Sequence, residues 1–287
     1  MTIHIPVMLN EVIEYLSIIP TGTYVDCTLG EGGHSEAILQ KGGKIIGIEQ
    51  DEEILDIAKT RLIKYKENIT FVHDNFKNIK EILVKNSINL VDGILYDLGL
   101  SSFHFESKTR GFSFRYDAKL DMRMDTRNKV TAKDLINSLS ERELAQIILT
   151  YGEEHRANKI AKAIVRERPF TTTFELIKVI EPIISGYKRI HPATKVFQAL
   201  RIAVNQELEV LNKSLDEAIS LLKKGGRVLV ISYHSLEDRL IKHKFRSWVK
   251  EGWTEIITKH PIRPTLQEVK SNPRARSAKL RVVEKKI

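Results

Sequence analysis

Val25-Asp26-Cys27-Thr28-Leu29-Gly30-Glu31-Gly32-Gly33-His34 reads as the end of a buried strand, a glycine turn and the start of a helix. Tyr24 to Cys27 supplies the short apolar strand. Ser35 to Leu39 begins the helix, which Gly42-Gly43 closes. Such a junction aims backbone N–H groups at a ligand, because glycine permits positive φ and close approach. A dinucleotide fingerprint G-x-G-x-x-G that starts at Gly30 reaches Gly32, then meets Ser35 where its last glycine belongs. The pattern present is instead an acid followed by small residues at alternate positions: Asp26, Thr28, Gly30 and Gly32-Gly33.

Outward from this turn, strand and helix patterns alternate. Lys44 to Glu49 is nearly continuous in apolar character, as suits a strand buried on both faces of a parallel sheet. From Glu52 to Tyr65, Ile54, Leu55, Ala58, Leu62 and Tyr65 recur at helical spacing. Ile69 to Val72 and Val91 to Leu98 supply two more strands, and this order argues for a doubly wound α/β sheet. Glu49 ends the second strand, where a carboxylate can accept hydrogen bonds from both ribose hydroxyls of a nucleotide cofactor. The bland alternative is an acid at a helix N-terminus ahead of Asp51 and Glu52. Phe76, after the third strand, is either an adenine-side aromatic or ordinary core. Asp97 ends the fourth strand, and a carboxylate there faces the ligand crevice unless it is buried structurally.

The strand signal then stops. From about 105 to 205 the chain reads as loop followed by helices, with capping-box spacing at Ser140/Glu143 and Thr172/Glu175. A long helix is expected from Ala193 to Lys223, with a break, ending at Gly225-Gly226. Strand character returns at Arg227 to Ser232 and at Lys279 to Val283. The economical account is one α/β domain, 1–105 with 206–287, interrupted by a helical insertion at 106–205. Two successive domains would leave the late strands too few partners.

Composition is that of a globular protein, 42% hydrophobic and 29% charged, and no apolar run approaches the roughly 20 residues of a membrane helix. No membrane partner is therefore expected. The single cysteine, Cys27, excludes an intramolecular disulfide and agrees with a cytoplasmic location. The nine histidines and Cys27 show no C-x-x-C or H-E-x-x-H spacing, so no metal is expected. Of the net charge of +9, the stretch from Lys259 to Ile287 carries +7, as nine Lys or Arg against Glu268 and Glu284. Such a block either contacts nucleic-acid phosphates or is a solvated basic tail.

Several longer stretches carry a specific resemblance. They are His4-Ile5-Pro6-Val7-Met8-Leu9-Asn10-Glu11, Thr28 to Ser35, Asp97-Leu98-Gly99-Leu100-Ser101-Ser102, Arg110-Gly111-Phe112-Ser113-Phe114 and Leu120-Asp121-Met122-Arg123-Met124-Asp125. Later come His191-Pro192-Ala193 through Arg201, Ser232-Tyr233-His234-Ser235-Leu236-Glu237-Asp238-Arg239 and Asn272-Pro273-Arg274-Ala275-Arg276-Ser277. Together they resemble the bacterial methyltransferases that modify the N4 amine of a cytidine in the decoding region of 16S ribosomal RNA. The resemblance implies a class I methyltransferase fold, S-adenosylmethionine as cofactor and 16S rRNA or the small ribosomal subunit as partner. By position it implies that Gly32, Gly33 and His34 surround the methionine part of the cofactor. It puts Glu49 at the ribose, Phe76 at the adenine side, Asp97 at the strand-four acidic position and His104 at one further cofactor contact.

The chain departs from the family pattern at three places: Glu49 for the commoner Asp, His104 for Gln, and Asp117-Ala118-Lys119-Leu120 for Asp-Gly-Pro-Leu. The residues name no catalytic base; Asp97, His234 and Glu237 stand as alternatives. Arg110, Arg123, Arg274 and Arg276 are candidate RNA contacts, against the reading that Asp121, Arg123 and Asp125 form ion pairs that pin the insertion. Rival readings are a NAD-dependent dehydrogenase, a small-molecule methyltransferase and a non-catalytic RNA-binding assembly factor.

Overall fold

The computed structural model describes residues 5–184, 191 and 193–287; His4 and Pro192 of the motifs above lie outside them. The chain forms two compact units, 1–99 with 208–287, and 100–207.

The first unit is built on a seven-stranded sheet: β1 (Thr23–Asp26), β2 (Lys44–Glu49), β3 (Ile69–His73), β4 (Val91–Asp97), β5 (Leu222–Ser232), β6 (Thr254–Ile256) and β7 (Lys279–Lys285). Their order is β3-β2-β1-β4-β5-β7-β6. The first five are parallel, and β7 runs antiparallel between β5 and β6. Successive side chains on a strand point to opposite faces, which explains the unbroken apolar runs. Tyr24, Ile45, Leu95, Leu229 and Ile231 feed one core. Their neighbours Val25, Ile46, Ile94, Tyr96, Val228 and Val230 feed the other, with Phe245 and Trp248 packed on that face.

Two sequence expectations change here, and the break expected in the long helix is located. Helix Glu207–Leu221 ends before the Gly225-Gly226 pair, and both glycines lie inside β5, where Gly225 takes φ 77°. The long helix is two helices, Thr194–Asn205 and Glu207–Leu221, and Gln206 between them adopts φ 51°. The basic C-terminus is no solvated tail, because β7 is an interior strand and its cations are held by the fold. Lys279 and Arg281 both pair with Asp238, at 2.9 and 2.7 Å, and Lys285 Nζ donates to the Leu222 carbonyl. The Asn272–Ser277 motif also has a packing role: Asn272 Nδ2 donates to the Ile5 carbonyl and Ala275 is buried.

The second unit is helical, with a core that includes Phe112, Met122, Ile136, Ile148, Ile160, Leu176 and Leu200. The unit runs from Leu100 to Glu207, and Leu100 packs on its helical core. Ser140 caps helix Glu141–Gly152 through the reciprocal box with Glu143, and Glu175 accepts from the Thr171 and Thr172 N–H groups. The candidate RNA contacts in this unit are committed elsewhere. Arg110 is only 7% exposed and donates to the Arg123 and Met124 carbonyls. Arg123 forks onto both oxygens of Asp121 and donates to the Thr126 and Asn128 carbonyls. Asp125 pairs with Arg127, so these acids organise their own loop. Among the described residues, no helix is long and apolar enough to cross a membrane.

Candidate active site

β1 is flanked by β2 on one side and β4 on the other, both parallel to it. Strand order reverses at this point, and in open α/β sheets the ligand crevice lies beyond the carboxyl ends of the strands at such a switch. The glycine turn after β1, Glu49 at the end of β2, Phe76 after β3 and Asp97 at the end of β4 all lie at that edge.

The turn needs its glycines for two different reasons. Gly32 takes φ 83° at the N-cap of helix Gly33–Gln40, a conformation that costs an L side chain strain. Gly33 is set by contact instead: a Cβ there would lie 2.3 Å from Cγ of the Pro6 ring. Proline at that position thus presses the N-terminal segment onto the turn. His34 is buried beside it, its Nε2 3.0 Å from the Val7 carbonyl; that oxygen only accepts, so Nε2 carries the hydrogen. Its Nδ1 lies 3.8 Å from Asp97 Oδ2.

Glu49 receives three backbone N–H groups. Oε1 accepts from Gln50 and Asp51 and Oε2 from Gly30, each at 2.9 Å. The longer arm of Glu thereby ties the end of β2 to the glycine turn. Burial nevertheless pushes its carboxyl up to about 7, against the pull of those three donors. Asp26 lies deeper, almost without exposure, and accepts from Ser35 Oγ at 2.7 Å and from the Thr28 N–H at 3.2 Å. Burial raises its carboxyl above the usual range, against the opposing pull of His34, Ser35 and Thr28.

Asp97 is held from two directions. The Tyr233 hydroxyl donates to Oδ1 at 2.7 Å, and the Asp97 N–H donates to Thr28 Oγ1, also at 2.7 Å. Tyr233 follows β5, and its ring lies where a Cβ on Gly99 would come within 2.9 Å of it. Burial and the charge of Asp97 both push the phenol well above its ordinary value, so it stays a donor. The Asp97 side chain keeps 15% exposure, enough for Oδ2 to meet a ligand in the crevice.

The remaining positions divide. Phe76 is partly buried, meets Tyr96 edge to face at 5.6 Å and packs on the sheet core. His104 belongs to the second unit, where its ring sits 4.6 Å from Phe112 and its Nδ1 3.1 Å from Ser101 Oγ. The first unit therefore assembles Gly32, Gly33, His34, Glu49, Phe76 and Asp97. His234 and Glu237 close a capping box on helix Ser235–Lys250, in which buried Glu237 accepts from the Tyr233 and His234 N–H groups. That work at the helix end favours their structural reading. Asp26 and Thr28, part of the glycine-turn pattern but given no role of their own, join the site, and so does Tyr233, which was not singled out. Tyr233 had a legible signal, since it follows the strand that neighbours β4.

Residues 1–286 match the MraW methylase family. The chain belongs to that family. It is 46% identical to ribosomal RNA small subunit methyltransferase H of Clostridioides difficile strain 630, over 98% of each chain. The same-named protein of Dehalococcoides mccartyi strain BAV1 is 46% identical over 99% of this chain and 87% of its own. That of Carboxydothermus hydrogenoformans is 45% identical over 98% and 97%. A solved rRNA methylase of Streptococcus thermophilus shares 11% identity over the whole of both chains, with a TM-score of 0.49. As a member of the MraW methylases the chain has the class I methyltransferase fold, and its cofactor is S-adenosylmethionine. The crevice suits that cofactor: a carboxylate at the ends of both β2 and β4 frames a glycine turn that lacks the third glycine of a pyrophosphate loop.

Proposed function

We propose that this MraW-family chain transfers a methyl group from S-adenosylmethionine to the N4 amine of a cytidine in the decoding region of 16S rRNA, in the cytoplasm. The small-subunit rRNA comes from the names of its 45–46% identical relatives, and the N4 amine from the resemblance of the motifs between His4 and Ser277. The single observation that carries the chemistry is Asp97, a carboxylate at the crevice held on one oxygen by Tyr233.

In this reading Gly32, Gly33 and His34 surround the methionine part of the cofactor, and Glu49 accepts from the ribose hydroxyls. Phe76 borders the adenine. When bound, the cofactor supplies an electrophilic methyl on a sulfonium centre. The N4 lone pair of cytosine is conjugated into the ring and must be turned out as the nitrogen becomes more tetrahedral. Asp97 Oδ2 accepts a hydrogen bond from the N4 amine and so holds the lone pair toward the methyl, while Tyr233 keeps the carboxylate from rotating. As the N–C bond forms and the S–C bond breaks to release S-adenosylhomocysteine, the N4 proton is lost to Asp97. Alignment of this kind is worth up to about 7–11 kcal/mol in well-arranged reactions. The cytidine has to leave its stack to reach the crevice, at a cost of a few kcal/mol. The helical unit, 100–207, grips the surrounding RNA.

The test uses purified protein, small ribosomal subunits and S-adenosylmethionine with a labelled methyl. Label recovered as N4-methylcytidine in 16S rRNA is the expected result. Label on another nucleoside, or none with folded, cofactor-binding protein, refutes the proposal.

A further inference from the structure

In the second unit the loop at 107–120 is laced to the start of helix Thr173–Ile180. The Thr173 N–H donates to the Ala118 carbonyl at 2.8 Å. Thr173 Oγ1 donates to the Tyr116 carbonyl at 3.0 Å and accepts from the Ala118 N–H at 3.1 Å. Asp117 Oδ1 accepts from the Phe174 N–H, also at 3.1 Å. These bonds run through the segment that departs from the family pattern, and they hold the backbones of Tyr116 and Phe174 next to each other. Both side chains face solvent in good part: Tyr116 is 43% exposed and Phe174 40%. The same stretches bury Phe112, Leu120 and Leu176 in the helical core, to which neither ring belongs. One exposed ring is ordinary on a protein surface. Two on adjoining, firmly bonded backbone are not accounted for by packing.

Cations surround the rings. Lys108 Nζ lies 5.2 Å from the Tyr116 ring centroid, within cation–π range. Arg115 and Lys119 flank Tyr116 along the chain, are exposed, and form no ion pair among the described residues. Lys178, on the helix, is exposed as well. The two acids of this surface are engaged by the fold. The Thr172 hydroxyl and the Phe174 N–H hold the Asp117 carboxyl below the usual range, and the Thr171 and Thr172 N–H groups do the same for Glu175. Apolar rings bordered by ammonium and guanidinium groups match an unpaired nucleotide, whose base has a π-face and whose phosphate is anionic. A duplex keeps its bases stacked on one another and leaves such rings unused.

We infer that Tyr116 and Phe174 form a stacking platform for unpaired nucleotides of the substrate RNA, with Lys108, Arg115 and Lys119 on the adjoining phosphates. The inference rests on the rRNA reading above and gives the helical unit a mode of grip. Bases stack on rings with little dependence on salt, and phosphates meet cations with a strong one. The hydrogen bonds at Thr173 preset the platform, so little order has to be gained on binding.

The experiment measures binding of the full-length chain to small ribosomal subunits as a function of salt. Y116A/F174A is expected to bind at least about tenfold more weakly with the wild-type log–log salt slope, because stacking is lost and charge is kept. K108Q/R115Q/K119Q is expected to flatten the slope by about 2, at roughly 0.7 per phosphate contact on a single strand. Y116F/F174Y keeps both rings and the wild-type affinity. All three variants keep S-adenosylmethionine affinity and melting temperature close to wild type, since every altered side chain is exposed. Should Y116A/F174A fold poorly, ultraviolet cross-linking of the wild-type chain to subunits tests the same point, and the cross-linked peptides should carry Tyr116 or Phe174. Wild-type affinity in Y116A/F174A, or cross-links confined to other peptides, overturns the platform alone. Wild-type protein that methylates no small-subunit RNA overturns the rRNA reading and the platform with it.

Discussion

Lowering the pH from 8 to 6 should weaken cofactor binding through Glu49. Its carboxyl is raised to about 7 by burial, so in the free protein it is ionised above that pH and neutral below it. A ribose bound through two donated hydrogen bonds requires the ionised form, because a protonated carboxyl offers one acceptor fewer. With ionised fractions of about 0.9, 0.5 and 0.1 at pH 8, 7 and 6, Kd rises roughly twofold over the first unit and about fivefold over the second. E49Q abolishes this titration. It also turns an amide NH2 toward one of the three backbone donors that Glu49 accepts, from Gly30, Gln50 or Asp51. Loss of one charge-assisted hydrogen bond is worth about 1.5–3 kcal/mol, or roughly 10- to 150-fold in affinity. Titration calorimetry with S-adenosylhomocysteine at each pH reads both effects, and the ratio of wild type to E49Q cancels any titration of the ligand. A wild-type profile that is flat from pH 8 to 6, or one that E49Q reproduces, refutes the reasoning.

The same group sets a stability trend of defined sign. Its folded pKa of about 7 lies above the ordinary 4.5, so between these values the folded state holds a proton that the unfolded state has lost. Cofactor-free protein should therefore lose stability as pH rises from 4.5 to 7, and denaturant melts of E49Q should lack that component. D97N removes the acceptor for the N4 hydrogens and should lower kcat by about 10²-fold or more with little change in cofactor affinity; methyl-transfer kinetics and calorimetry separate the two. Y233F frees Asp97 Oδ1 of its 2.7 Å donor and should lower kcat by about tenfold while cofactor Kd holds, whereas a purely structural tyrosine would shift the melting temperature instead. G33A places a methyl 2.3 Å from the Pro6 ring and should cost about 1–3 kcal/mol of stability, read from the denaturant midpoint.

The strands β1, β2 and β4 were legible because each is a largely apolar run that ends at an acid, Asp26, Glu49 or Asp97. Lys44–Glu49 has the same limits in sequence and structure. β6 has only three residues, Thr254 to Ile256, too few for an alternating pattern to register, and it escaped notice. Gly225-Gly226 looked like a helix stop because glycine is the usual C-cap; here the helix ends at Leu221 and the pair is carried within a strand instead. Charge was the least readable property. Nine Lys or Arg in the last 29 residues left phosphate contact and a solvated tail as equal alternatives, yet three of them, Lys279, Arg281 and Lys285, are tied to Asp238 and the Leu222 carbonyl. Pairing of this kind depends on which strands become neighbours, and no local pattern encodes it. For the site, strand-end position was enough to nominate Glu49 and Asp97. Tyr233 was passed over in favour of His234 and Glu237 because those residue types suggest proton chemistry, whereas the fold uses them to cap a helix.

The central claim is methylation of one rRNA amine, and mass analysis of 16S rRNA nucleosides from cells that lack this protein tests it most directly. The account predicts that N4-methylcytidine from the decoding region disappears and returns with the wild-type chain but not with D97N. An unchanged N4-methylcytidine content in the cells without the protein would contradict it.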